Sequence, residues 1–419
     1  MVGTGAAGLT CAWLLGPEHE VVCYEALPTA GGNGRNEEVE VKGRLLTVSP
    51  GSSFFPPAMN RLVLKLMRIV GTPLITLPTQ FTVCDEEGEV RFASPSLRPP
   101  RLSPLRRPGA ASEFLNWTKL LLAGRRLERA GDWLTPWGEF RARLGLAPRF
   151  IEEVADPVVA SLWGVSGTQA LGLSARAGIA PVLPQQPVAR PARQRPYAVA
   201  GGTGTWLRLL ADDAQLAALV TDCPVRRVAV TGTGDFIVLT DGRVDHFDQV
   251  VLAVPPWEAA MLAPDLLAGA EADGGAAAAL SALPQTPCRI AIHSDESALP
   301  SAPGDRSHVT MVKGHNRCQL TTLTGEAGGR PVYRSWVTWS DRMPEPRHAI
   351  FEFRHVRPDP VLFRVQARLA EWEERSRLRF AGSWTNGWDC HETAVRSGVK
   401  AASLIDPALR RLSLLPGKS

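Results

Sequence analysis

The stretch "VGTGAAGLTCAWLLGPEHEVVCYEA" at the head of the chain restricts the fold more than any other: Gly3, Gly5 and Gly8 form G-x-G-x-x-G, and Glu25 closes a second apolar run, Val21 to Tyr24. In a βαβ unit Gly3 permits the tight turn after the first strand, Gly5 lets the backbone approach a pyrophosphate, and Gly8 lets the helix pack close on the sheet. Ala6 and Ala7 then stand at the helix N-terminus, where unpaired N–H groups and the helix dipole favour a phosphate. Leu9, Ala12, Leu14 and Leu15 supply a helical apolar stripe. Glu25, 17 residues after Gly8, is placed to accept hydrogen bonds from a ribose diol and disfavours a 2′-phosphate, which argues against NADP. Only Met1 and Val2 precede Gly3, whereas a strand usually has about five or six residues. The central strand is therefore expected to be stunted or cut short by a truncated start, and the truncated start is the favoured reading.

A chain of 419 residues exceeds one simple core and implies two domains, and 44% hydrophobic residues exclude wholesale disorder. The 46 basic and 42 acidic residues are well mixed, which predicts no nucleic-acid partner. Seven cysteines without C-x-x-C spacing indicate neither a disulfide framework nor a zinc site, so no metal is assigned and a reducing, cytoplasmic setting is expected. No apolar run reaches the roughly 18 residues needed to span a bilayer, and the fingerprint leaves no room for a signal peptide.

Beyond Glu25, "GGNGRNEEVEVKGRLLTV" reads as a glycine turn followed by a hairpin, and "MNRLVLKLMRIVG" (59–71) as a helix. The proline-rich "PSLRPPRLSPLRRP" (95–108) reads as a loop without regular elements. Its Arg98, Arg101, Arg106 and Arg107 offer a basic contact for an anionic membrane surface, so peripheral membrane contact is considered beside a plain solvated loop. Residues 113–175 read as helices, and a second proline-rich segment fills 180–196. Strands are read in "VRRVAV", "FIVLT", "QVVLAVP" and "CRIAIHS", with "DGRVDHFD" as a connection, and again in "HVTMVKG", "YRSWVTW" and "RLRFAGSW". "HETAVRSGVKAASLI" reads as a closing helix.

A simple nucleotide-binding dehydrogenase would follow its fingerprint with further βα units, whereas here a β-rich segment returns some 220 residues later. Three pieces together resemble the FAD-binding domain of the flavin-dependent amine oxidase and phytoene desaturase superfamily. They are the fingerprint with Glu25 and Gly31-Gly32, "PVRRVAVTGTGDFIVLTDGRVDHFDQVVLAVPP" (224–256), and "FAGSWTNGWDCHETAVRSGVKAA" (380–402). The resemblance implies an α/β fold, a Rossmann-like FAD-binding domain (1–60, 200–270 and 370–419) interleaved with an α+β substrate domain (61–199 and 271–369). It implies that FAD is held by the fingerprint residues Gly3 to Gly8, by Glu25, and by Gly31, Gly32 and Asn33. Val225 would meet the adenine edge through its backbone. Gly382 and Ser383 would approach the pyrophosphate or ribityl chain, and the helix near Glu392 and Ala394 would aim its N-terminus at the flavin pyrimidine ring. There the helix dipole would stabilise the charge left by reduction.

Within the superfamily, "VASLWGV", "RPYAVAGGTGTWLRLL", "CRIAIHSDESALP" and "FEFRHVRPDP" are similar to flavoproteins found beside cyclopropane-fatty-acyl-phospholipid synthases, a likeness that implies an apolar, acyl-type substrate. "WTNGWDCHE" is one residue longer than that family's "W-T-G-Y-G-F-H-E", and Ser49-Pro50-Gly51 stands where related flavoproteins have Asp-x-Gly, which removes one flavin-side hydrogen bond. Amine oxidases place a tyrosine two residues before the motif glutamate, and that position is Cys390. The expected function is thus an FAD-dependent oxidoreductase acting on an apolar lipid or acyl substrate. The alternatives are a flavin-dependent amine oxidase, with an aromatic pairing through Trp384 or Trp388, and a non-catalytic FAD-binding partner of a lipid-modifying enzyme. Arg35 is a candidate phosphate contact and His391 a candidate proton relay, but no catalytic residue is assigned.

Overall fold

Five short parallel strands make the sheet that the fingerprint demands. A computed structural model describes residues 1–78, 80–94, 96–97, 100–101, 108–183, 195–268 and 275–415. In it Val2 bridges Tyr24 on one side and Leu252 on the other. Val22–Tyr24 pairs with Ala218–Val220, and Val251–Leu252 with Arg379–Phe380, all in parallel. The chain therefore leaves this sheet after its second strand and re-enters it three times, which is the interleaving expected of a Rossmann-like domain in an α/β fold. The central strand is the single residue Val2, whose N–H donates to Val251 and whose carbonyl accepts from Ala253.

Helix Ala6–Leu15 is buried from Ala7 to Leu15 rather than along one stripe. The reason is that helix Gly204–Asp213 and helix His391–Ile405 cover the sides a surface helix would leave polar, in one core with Trp13, Leu207, Leu210 and Val395. The last of these packs at Gly398, where a Cβ would lie 2.4 Å from the Ala7 carbonyl oxygen.

The second architectural unit is a seven-stranded sheet, ordered Arg347–Val356, Gln285–His293, Arg330–Trp336, Cys318–Ala327, Val309–Lys313, Phe81–Asp85 and Val90–Ala93. All its pairs are antiparallel except Val309–Lys313 with Phe81–Asp85. Because side chains alternate across a sheet, the register puts Val83, Met311, Leu320, Trp336, Arg334, Ile290 and Ile292 on one face. Helices Ala110–Ala130 and Asp156–Trp163 cover the Val83 end of that face, and the hairpin Glu37–Val41 and Arg44–Val48 covers the Ile290 end. Arg334 and Trp336 come up between the two covers. The hairpin thus lies within 1–60 in sequence yet packs on this sheet, while helices Gly275–Ser281 and Pro360–Ser376 share a core with Val2, Leu252 and Phe380 of the parallel sheet.

Several elements differ from the sequence reading. "DGRVDHFD" is not a plain connection: Val244–Phe247 inside it is the third strand of a meander with Val225–Val230 and Phe236–Thr240. The alternation it needs is masked by Asp245 and His246 on a largely exposed edge. Within the proline-rich 95–108, Ser96–Leu97 and Pro100–Arg101 pair as a minimal antiparallel ladder, a correction to the reading of that stretch as a loop without regular elements; it is short enough for a proline to sit at its edge. Arg98, Arg106, Arg107 and the side chain of Arg101 lie outside the described residues. Among the described residues no helix is long and apolar enough to cross a membrane.

Candidate active site

The glycine turn divides its three positions by space. Gly3 has φ +93°, and a Cβ there would lie 2.5 Å from the Ala253 carbonyl; at Gly8 a Cβ would lie 2.1 Å from the Gly3 carbonyl. Both are closed by backbone. At Gly5 nothing lies within 4 Å of an added Cβ, and the helix that begins at Ala6 has no side-chain cap. That open, uncapped helix start is the cradle a pyrophosphate needs. Gly32 (φ +54°) faces it, with an added Cβ 3.1 Å from the Gly5 Cα, and Asn33 is exposed beside it. Arg35 is committed elsewhere, to Glu37 at 2.6 Å and to the Gly32 carbonyl at 3.2 Å, so it braces the turn.

Glu25 is 7% exposed at the end of its strand. Its carboxylate accepts from the Thr4 N–H at 3.1 Å, the Thr4 hydroxyl at 2.5 Å and the Leu27 N–H at 3.0 Å. Its backbone carbonyl accepts from Cys223 N–H, which brings Val225 and the start of the meander to the same end of the sheet. Glu258 lies near enough that burial first, and the Glu25 charge second, raise its pKa. An acceptor carboxylate beside a carboxyl biased toward its protonated form suits a diol, which both donates and accepts.

At the opposite end of the groove, the Gly382 N–H donates to Ser397 Oγ at 2.8 Å, so this amide is occupied within the protein. Ser383 starts the short turn Ser383–Thr385 and hydrogen-bonds Asp389. The Glu392 carboxylate accepts from the Leu62 N–H (2.9 Å) and the Val63 N–H (3.1 Å), capping helix Arg61–Ile69. Its backbone stays at the first turn of helix His391–Ile405, and Ala394 N–H closes on Cys390 O at 3.0 Å. Cys390 is the N-cap, with its thiol pushed up to about 11 by burial. His391 packs on Phe55 (5.2 Å) and Trp206 (6.1 Å), and burial lowers its pKa.

The loop before that helix meets the seven-stranded sheet. Trp384 is 3% exposed and donates to the Val254 carbonyl at 3.0 Å, a packing role. Trp388 keeps part of its surface and stands edge-on to Trp163 at 5.7 Å. Trp163 stacks on His355 at 6.1 Å, and His355 meets Trp336 at 5.6 Å. His355 Nδ1 lies 3.5 Å from Asp389 Oδ2 and its Nε2 3.2 Å from the Trp163 carbonyl. Against the effect of burial, hydrogen bonding to Asp389 and to Cys288 raises the His355 pKa to about 10, and the same imidazolium holds Asp389 below the usual carboxylate range. Of this aromatic wall with its ion pair the sequence singled out Trp388 alone, because Trp163, Trp336 and His355 lie on three other elements. The indole Nε1 atoms of Trp163 and Trp206 are buried without a hydrogen-bond partner.

A Rossmann-like half with an open glycine turn, a ribose-type carboxylate and a helix N-terminus at its far end, facing an aromatic wall on a second sheet, defines a two-domain FAD-dependent oxidoreductase. The chain belongs to the family described as flavin containing amine oxidoreductase, whose model matches residues 6–349, and FAD is its cofactor. Among solved structures it is similar to cyclohexylamine oxidase from Brevibacterium oxydans IH-35A (15% identity, TM-score 0.66, 98% of each chain). It is also similar to putrescine oxidase bound to putrescine (15%, 0.65, 96% of this chain and 97% of that one). A third likeness is to a CLA-producing fatty acid isomerase from P. acnes (14%, 0.63, 97% of each). At these identities the likenesses establish the fold. No curated protein matches the chain.

Proposed function

We propose that the protein oxidises a small-molecule amine, removing a hydride from the carbon beside nitrogen. The observation that carries the reading is the position of Trp388, partly exposed on the loop that leads into the C-terminal flavin helix and edge-on to Trp163. The Trp388 indole, backed by the buried Trp163, supplies the apolar aromatic surface that presents a neutral amine, the role a tyrosine two residues before Glu392 would otherwise fill. FAD, when bound, accepts the hydride. The chain's own part is to orient and to exclude water: Trp388 and Trp336 wall the substrate with the buried Trp163 behind them, and the His355–Asp389 pair holds the sheet and the flavin-motif loop together while adding no net charge. The neutral Cys390 thiol contributes bulk rather than charge. Support at the family level comes from the amine oxidoreductase match and from the likeness to two amine oxidases.

An acyl substrate is the second reading. It is favoured by Cys390 at the tyrosine position, by the likeness to a fatty acid isomerase, and by the sequence resemblance to flavoproteins associated with cyclopropane-fatty-acyl synthases. Anaerobic mixing of the FAD-loaded protein with a panel of primary amines and of unsaturated fatty acids separates the readings. Loss of the oxidised-flavin absorption with amines is expected, with reduction slowed at least about tenfold in Trp388→Ala, the equivalent of losing roughly 1.4 kcal/mol of aromatic contact. Reaction with acyl substrates alone would favour the second reading, and reaction with neither would favour a non-catalytic FAD-binding role.

A further inference from the structure

Arg334 is a cation set in dense protein with no acid partner among the described residues. It sits mid-strand, paired through its backbone with Ile292 on one side and Thr322 on the other. Its Nη1 donates to the carbonyl oxygens of Ser49 (3.3 Å) and Gly51. Among the described residues no carboxylate pairs with it, and burial alone pulls its pKa down to about 10. Other arginines of this molecule show the ordinary arrangement: Arg317 is met by Glu86 and Asp341, and Arg357 by Asp359. An unpaired charge away from water is costly enough that proteins neutralise it or pair it. Among the described residues the one titratable neighbour with a resolved effect makes the imbalance worse: His308 is held neutral, near pKa 4, by burial and then by the Arg334 charge itself.

The surface Arg334 retains faces a recess. The residue is partly accessible, yet protein atoms surround its guanidinium densely, so the accessible part opens inward rather than to bulk water. Among the described residues its Nε and Nη2 have no protein partner, and they are not sealed off. A planar fork with free donors is matched by a carboxylate or phosphate.

Arg334 lies between the cofactor cradle and the aromatic wall. Gly51, whose carbonyl anchors the guanidinium, is pressed on the glycine turn, with an added Cβ 2.1 Å from the Asn33 carbonyl. Trp336 follows two residues along the same strand face, about 7 Å away by strand rise, and leads through His355 and Trp163 to Trp388.

We infer that Arg334 is a specificity-determining residue that binds an anionic group, carboxylate or phosphate, on the substrate. It tethers that end while the reacting carbon lies against the wall. The inference rests on the placement of the substrate between the cradle and the wall, as in the proposed amine oxidation, and it makes an amine that also bears an acid the preferred substrate over a simple alkylamine.

Binding tests it without turnover. Benzoate and phenyl phosphate, with benzyl alcohol as the neutral control, are titrated into the FAD-loaded protein and followed by flavin absorption and by thermal shift. Saturable binding of at least one anion and none of the alcohol is expected. Which anion binds more tightly separates a carboxylate from a phosphate. Arg334→Gln, which keeps a donor for the loop carbonyls, should weaken the anion about tenfold or more, and Arg334→Lys should lose less. Arg334→Gln should leave FAD affinity unchanged. Failure of both anions to bind wild type, equal binding by Arg334→Gln, or a loss of FAD affinity with anion binding intact overturns the inference. A protein that binds benzoate through Arg334 but is reduced by no amine would instead overturn the proposed reaction and leave the anion site standing.

Discussion

Gly5 and Gly8 are the same residue type three positions apart, and the structure gives them different work. At Gly8 the space is taken by the Gly3 backbone; at Gly5 it is empty. Gly8→Ala should therefore force the fingerprint helix off its strand, lowering the melting temperature of the FAD-free protein by an amount equivalent to about 1–3 kcal/mol of overpacking. Gly5→Ala should leave that melting temperature nearly unchanged and abolish FAD retention, since its methyl enters the pyrophosphate position. Thermal melts of both variants with and without FAD read the contrast directly. Glu25→Ala combines the two effects. It orphans the Thr4 and Leu27 donors and removes a charge-assisted bond to the ribose, so it should cost about 1.5–3 kcal/mol of FAD binding, roughly ten- to more than hundredfold in Kd. Fluorimetric titration with FAD checks that figure, and retention equal to the parent would mean that Glu25 does not meet the ribose.

Among the elements, helix His391–Ile405 is the one on which the site turns. It packs against the fingerprint helix through Gly398, its first turn points into the groove, and its Glu392 side chain holds the N-terminus of helix Arg61–Ile69. A single helix thus ties the cofactor cradle to helix Arg61–Ile69, which shares its core. Removing the carboxylate strands two amides of a helix whose Asn60 N-cap provides no side-chain bond. Glu392→Ala is expected to destabilise the protein by about 1–3 kcal/mol, read as a lower midpoint in urea, and Glu392→Gln, which keeps an acceptor, should recover much of the loss. The meander strand Val244–Phe247 and the long strands Cys318–Ala327 and Arg347–Val356 lacked such local signals. Their charged and polar side chains point to solvent or to a buried threonine and serine network, so period-2 alternation is blurred by partners distant in sequence.

For the whole molecule, the His355–Asp389 pair joins the seven-stranded sheet to the flavin-motif loop. The folded-state pKa of His355 is raised from 6.5 to about 10, so its stabilisation is present in full below pH 6.5 and is lost as pH rises through about 10. His293 and His308 run the other way, both lowered to about 4. The unfolded chain takes up protons there that the folded one refuses, so stability falls as pH drops from 6.5 toward 4. Melting temperature should accordingly peak near neutrality and decline on both sides. The alkaline decline between pH 7 and 10 should flatten in His355→Gln; an unchanged alkaline limb would show that this histidine is not held charged.

At the same scale the division between sequence and tertiary structure is clear. Gly3, Gly5, Gly8 and Glu25 determined the Rossmann-like half and its dinucleotide from 25 residues, because turn sterics, helix N-terminal donors and strand length are local and leave a fixed spacing. The returning "DQVVLAVP" and "RLRFAGSW" added the interleaving, since a parallel strand needs a crossover and leaves a recognisable apolar run. The aromatic wall and the lone Arg334 left no such trace. Their meaning lies in which partners are within a few ångströms and which are missing, and residues 163, 334, 336, 355 and 388 become neighbours only when the second sheet closes over the first. Whether an arginine is solvated or unpaired in a recess depends on desolvation by the whole fold, and so only the tertiary structure decided it.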